Sequence, residues 1–305
     1  MTGRIAAMSP RARAVLFMIT AFLFFSGMDA CAKALGQRVG PVPAVWARYL
    51  GQSLVVLILV APRLRSVART RYPGLQFARS ALLLTGTTCF FFALTQIGLA
   101  EATAVMDLNP VLVTLGAALF LGERLGARRV MGIGAALVGA LIIIRPGSAV
   151  FSPYAVLPLC GAVAYASYQL ITRHVGRDED PWTSMLYAAL LGAVVLSCVV
   201  PFHWQRPDAV SILLMLAIAA CGTLSQLFLI RALTAGEASM LAPFAYVGLI
   251  FAAFWGAVFF GELPDGWTVL GAAIIAVAGI YVWYRETFTD ARAAPGTEAP
   301  ERPAE

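Results

Sequence analysis

Apolar positions gather into ten runs along the chain, at about 14–35, 43–61, 77–98, 101–122, 127–145, 153–172, 182–202, 209–230, 238–260 and 266–284. A helix needs roughly 20 mostly apolar residues to cross a bilayer, and every run approaches that length. Sustained alternation of the β-barrel kind is absent. The polar connections are mostly shorter than about ten residues, which predicts helical hairpins in a bundle.

The pattern repeats. Gly122-Glu123 recurs as Gly261-Glu262, 139 residues on. The same shift carries Gly132 to Gly271, Ala118 to Ala257, Val138 to Val277, and Ala93-Leu94-Thr95 to Ala232-Leu233-Thr234. Five runs fall in each half. An odd number of spans per repeat turns the second copy upside down in the membrane. The expected fold is therefore an all-α polytopic membrane protein of ten transmembrane helices, built as two inverted five-helix repeats. That architecture recurs in secondary transporters, with the substrate site between the halves. The expected divisions are a cytoplasmic segment 1–13, repeats at 14–147 and 151–285, and a disordered cytoplasmic tail 286–305 rich in Ala, Pro, Glu and Arg.

Composition agrees with the pattern. The chain is 60% hydrophobic and 12% charged, with a mean hydropathy of +0.81, against about 25% charged for a soluble domain. The net charge of +6 does not imply nucleic acid, because the cations are scattered over short connections. They are arginines apart from Lys33. Seventeen of them, Arg79 included, fall in segments on the side of the N-terminus and three (Arg38, Arg145, Arg206) on the other. Positive residues stay in the cytoplasm, so both termini are expected there, in a bacterial inner membrane. The five cysteines lie within spans without metal-ligand spacing and read as small core residues. No metal or cofactor is expected.

Four ionisable residues stand out inside spans: Asp29, Lys33, Arg48 and Asp107. Counting ~1.5 Å per residue from the expected outer helix ends puts them all within about 10 Å of that surface. Charges in a bilayer are costly and are functional by default. These four sum to zero and could pair with one another as structural struts. Alternatively, Asp29, Arg48 and Asp107 face a substrate or proton pathway, with Lys33 snorkelling to the headgroups. Asn109-Pro110 follows Asp107, and the proline frees a backbone carbonyl one turn earlier. Such groups are tolerated where they line a cavity. Pro243, with Tyr246 one turn on, interrupts helix 9 in the same way, although the two prolines do not align at the 139-residue shift. Gln96, Gln169, Gln226, Tyr165 and Tyr246 add amide heads and aromatic walls suited to a small-molecule pocket, although each could be a satisfied core residue.

Glu123 and Glu262 end long helices, where a carboxylate opposes the helix dipole. They read as structural latches between helices 4 and 5 and between helices 9 and 10. Gly132 and Gly271 sit among small residues of helices 5 and 10, which suits close packing or a homodimer face.

Taken together, Leu108-Asn109-Pro110 through Leu121-Gly122-Glu123 and Gly132, and again Ala242-Pro243-Phe244 with Tyr246 through Phe260-Gly261-Glu262 and Gly271, resemble the EamA-type branch of the drug/metabolite transporter superfamily. The resemblance covers roughly residues 14–285. It implies a ten-helix basket whose cavity is lined by helices 1, 3, 4, 6, 8 and 9, moving amino acids, nucleotide-like compounds, vitamins or drugs. Met28-Asp29 with Lys33 resembles subgroups that carry riboflavin or S-adenosylmethionine. The expectation is export of amino-acid-like or amphoteric solutes by alternating access, with protons as coupling ion. Import of a cofactor-like metabolite is the alternative. An intramembrane enzyme would need a catalytic pair, yet His174 and His203 lie in loops and no nucleophile elbow is present. A channel would need a filter or charge ring.

Overall fold

The computed structural model describes residues 10–121, 127–145, 152–175, 179–235 and 241–284. Glu123, the tail 286–305 and most of the N-terminal segment lie outside them. The described residues form helices and short connections, with no strand among them. In chain order the helices are α1 (Pro10–Val39), α2 (Pro41–Val60), the short α3 (Leu64–Val67), α4 (Pro73–Leu94), α5 (Leu99–Met106) and α6 (Asn109–Leu121). Then come α7 (Ala127–Ile144), α8 (Val156–Val175), α9 (Pro181–Val199), α10 (Ala209–Ala235), α11 (Val247–Phe260) and α12 (Gly266–Tyr284). Among the described residues six stretches are long and apolar enough to cross a membrane, and 130–144, 244–260 and 266–281 are shorter apolar helices.

Local chemistry sets the boundaries. Proline opens α2 and α4, where its missing N–H costs nothing. At α9 the Asp180 carboxylate also accepts from the Trp182 amide, 2.9 Å away, a side-chain N-cap. The first helix runs past the expected 14–35, because no breaker intervenes before Gly40 (φ 87°). The expected continuous span 101–122 is divided instead. α5 stops at Met106 and α6 starts at Asn109, so Asp107 and Leu108 form a break. The ninth expected span likewise begins as a 3₁₀ turn, Ala242–Tyr246, containing Pro243, before α11.

α1 packs along α10, α4 along α8, and α7 along α12. Missing side chains permit the tightest crossings. A Cβ on Gly86 or on Gly161 would lie 3.1 Å from the other's carbonyl oxygen. A Cβ on Gly139 would lie 2.9 Å from the Gly271 oxygen, and the reverse distance is 2.6 Å. Gly271 therefore meets Gly139. Gly132 lines an open apolar groove with Met131, Ile274 and Tyr281.

Candidate functional site

The polar residues of the interior sort into one central cluster and a junction at each end of the bundle. In the cluster, Asp29 of α1 lies within electrostatic reach of Arg48 of α2. The Arg48 guanidinium stands 5.6 Å from the ring centre of Phe91, on α4. Tyr165 and Tyr168, one helical turn apart, stack at 5.4 Å on α8. Arg48 and Tyr49 are electrostatic neighbours of Tyr165. The Tyr49 hydroxyl and Thr87 Oγ1 are 3.2 Å apart.

The break between α5 and α6 meets this cluster at Asn109. Pro110 has no N–H, so the Met106 carbonyl loses its helical donor. The chain answers with a tighter turn, in which the Leu108 amide donates to Val105 O at 3.2 Å. Asp107 sits at that turn. Asn109 is 8% exposed, and its Oδ1 accepts from Gln169 Nε2 of α8 at 2.8 Å. Tyr246, in the 3₁₀ turn before α11, is an electrostatic neighbour of Asp107. Its hydroxyl rests on Gly279 of α12, where a Cβ would lie 1.7 Å away. Three buried atoms here have no hydrogen-bond partner among the described residues: Asp107 Oδ2, Asn109 Nδ2 and Tyr246 Oη.

Lys33 belongs to a different assembly. Expected either in one outer layer with Asp29, Arg48 and Asp107 or snorkelling to the headgroups, it is 1% exposed and pairs with Glu262 Oε1 at 2.6 Å, also donating to Ile97 O at 2.6 Å. Glu262 Oε2 accepts from the Leu99 amide at 3.1 Å, so its charge sits at the start of α5, where a helix favours an anion. The turn that delivers Glu262 follows from Gly261. Its left-handed φ of 66° ends α11, and the Gly261 amide returns to Ala257 O at 3.2 Å, the αL form of helix cap. Glu262 thus ties α11 to α1 and α5 rather than to α12. Around this end Arg38 pairs with Asp208 and Arg145 with Asp265, both at 2.5 Å. Glu101, Arg145, Glu262, Asp265 and Thr268 line a mouth of about 230 Å³.

At the other end stands a junction that the sequence reading passed over. Arg79, counted among the loop arginines, is 1% exposed inside α4. It donates to the Ser184 carbonyl and, at 3.4 Å, to Thr172 Oγ1, and lies 5.4 Å from the Tyr168 ring centre. Beside it Glu179 accepts from Thr70, the Arg71 amide and Gln76. An arginine just inside the expected span 77–98 was the available signal.

Two expected residues stand apart. Gln96 is exposed beyond the end of α4 and donates to Thr95 at 3.3 Å. Gln226 lines a cavity of about 20 Å³ with Gln52, Thr223 and Trp182, between α2, α9 and α10.

Residues 12–145 and 152–285 each match the model of the EamA-like transporter family. The pseudopaline exporter CntI of Pseudomonas aeruginosa is 30% identical over 271 residues, covering 87% of this chain and 94% of its own. The S-adenosylmethionine uptake transporter of Rickettsia felis is 26% identical over 261 residues, covering 86% and 89%. The riboflavin transporter of Rhizobium johnstonii is 28% identical over 279 residues, covering 89% and 91%. One solved crystal structure shares the fold, with a TM-score of 0.61 at 23% identity over 93% of this chain and 99% of the other.

Proposed function

The chain belongs to the EamA-like transporter family of the drug/metabolite transporter superfamily, and on that premise we propose that it is a secondary active carrier which moves amino-acid-like or amphoteric metabolites outward across a bacterial inner membrane. The observation that carries this reading is the double family match, one copy on each side of residue 150. The packing supports two repeats related by the 139-residue shift. That shift exchanges α1 with α8 and α4 with α10. The contact of α1 with α10 thereby becomes the contact of α8 with α4, and both are extensive. The α7–α12 pair maps onto itself.

With α5 and α6 counted as one broken span, and the turn at 242–246 joined to α11, this reading assigns five spans to each repeat and ten in all. An odd number per repeat inverts the second copy, and the arginine bias puts both termini in the cytoplasm. Alternating access then comes from rocking one repeat against the other. Asp29, Arg48, Asp107, Asn109, Tyr165, Gln169 and Tyr246 form the substrate region between them, with protons as coupling ion.

The opposite direction has one observation in its favour: two of the named relatives are an uptake transporter for S-adenosylmethionine and a riboflavin transporter. A metabolite uptake screen in proteoliposomes of known orientation, with and without an imposed pH gradient, tests both readings. Gradient-driven movement of a zwitterion toward the compartment that faces away from the termini supports export. Accumulation in the opposite sense supports import. Failure of any solute to move against its gradient would sink the active-carrier reading.

A further inference from the structure

We propose that the Lys33–Glu262 ion pair is the bolt of a gate between the two repeats, holding shut the end of the bundle that faces away from the termini. This deepens the carrier reading and rests on it. Three ion pairs have both partners among the described residues: Lys33 with Glu262, Arg38 with Asp208, and Arg145 with Asp265. All three stand at this one end. Each takes its cation from the first family match, 12–145, and its anion from the second, 152–285. Rocking one repeat against the other to open this end separates every one of them.

Two of the anions are fixed by their own backbone. Asp208 Oδ1 accepts from the Ser211 amide at 2.9 Å and Asp265 Oδ1 from the Thr268 amide at 2.8 Å, as side-chain caps of α10 and α12. These carboxylates travel with the second repeat. Glu262 differs, because its Oε2 reaches across to the Leu99 amide of the first repeat, while Lys33 holds Oε1 and also the Ile97 carbonyl. One pair thereby grips α1, the connection from α4 to α5, and the turn after α11.

Burial ranks the three pairs. Those of Arg38 and Arg145 are partly exposed, and water screens such contacts. The Lys33 side chain is 2% exposed and that of Glu262 33%, beside the mouth of about 230 Å³. The pair thus lies at the boundary between the dry interior and the mouth. Parting it while dry strands two ions, whereas once the mouth widens each ion finds water instead. Closing restores the cost, which is the behaviour of a two-state latch. At the opposite end the repeats meet through neutral partners: Arg79 with Ser184 and Thr172, Glu179 with Thr70 and Gln76, and Tyr187 with Ala68.

The test reads distance rather than stability, because a purely structural strut would change stability alone. Spin labels on Gln96→Cys and Gln205→Cys, one on each repeat at the gated end and both exposed, are measured by double electron–electron resonance in the full-length protein in nanodiscs, with the native cysteines replaced by alanine. Glu262→Gln keeps an acceptor for the Leu99 amide and removes the charge. It should raise the ratio of long to short distances at least about tenfold. Arg38→Gln and Arg145→Gln break only exposed pairs and should raise that ratio less than about fivefold. Labels on Gly74→Cys and His174→Cys, exposed at the Arg79 end, should keep their distance in all three variants. Lys33→Gln is a second route to the same opening should Glu262→Gln fold poorly. An unchanged distribution at the gated end, an equal response to the Arg38 and Arg145 variants, or lengthening at both ends would overturn the proposal. Opening at the gated end in a protein that moves no solute in vesicles would sink the carrier reading instead.

Discussion

The two ends of the bundle both hold a buried cation, and they hold it differently. Lys33 meets a carboxylate head-on, and that carboxylate is itself fastened to the first amide of α5. Arg79 meets neutral oxygens, while its electrostatic neighbour Glu179 is occupied with Thr70, Gln76 and the Arg71 amide. A directly paired charge is costly to separate in a low-dielectric interior, because separation strands both ions. Hydrogen bonds to hydroxyl and carbonyl oxygens can be exchanged for water one at a time. The difference makes the Glu262 end the tighter of the two, joining α1, α5 and α11 across the two halves. The Arg79 end joins α4, α8 and α9 by a looser polar net.

The largest effect should come from stranding Lys33. Glu262→Ala leaves a buried ammonium with one carbonyl and should destabilise the protein by about 3–5 kcal/mol, read as loss of unfolding temperature in detergent. The double variant Lys33→Met with Glu262→Leu removes both charges and should recover most of that loss. A single variant as stable as the parent would erase the distinction between the ends.

Arg79→Gln should cost less, about 1–3 kcal/mol, the scale of hydrogen bonds lost to neutral partners plus one ring contact. Glu179→Gln keeps acceptor capacity and should cost still less. An Arg79 penalty matching that of Glu262→Ala would mean that Glu179 already acts as a full counter-ion.

How much of this was legible beforehand depends on the range of the interaction. Helix identity and most helix limits follow from the apolar runs and from Pro41, Pro73 and Pro181, all local signals. The Gly-Glu pattern marked a helix end, because Gly261 must adopt positive φ there. Its partner was not legible: Lys33 lies 229 positions away, and composition or spacing carries no information on such a pairing. Asp107 and Pro110 signalled a disturbed helix, but only the three-dimensional arrangement separates Asp107, without a cation, from Asp29, with Arg48 nearby. Arg79 was misread because arginine counting assigns a charge near a span's edge to the loop, whereas α4 carries it inward onto Ser184.

Acid should sharpen the comparison with the smallest effect. Burial alone would push the Glu179 carboxyl up, but hydrogen bonds from Thr70, Gln76 and the Arg71 and Tyr72 amides outweigh it and hold the group below its ordinary 4.5. At the other end, hydrogen bonds from Ser211, with help from Arg38, hold Asp208 at about 2. Both groups are depressed by folding, so each contributes stability that is complete above its unfolded value and lost as pH falls through its folded value. Glu179 starts from the higher ordinary value and has no direct cation, so its net should loosen first as the medium is acidified below pH 4.5. Amide exchange at Arg71, which donates to Glu179, should therefore accelerate at a milder pH than exchange at Ser211, which donates to Asp208 at 2.9 Å. The order of the two is the readout. Ser211 loosening before Arg71 would assign the weaker closure to the Glu262 end and reverse the comparison.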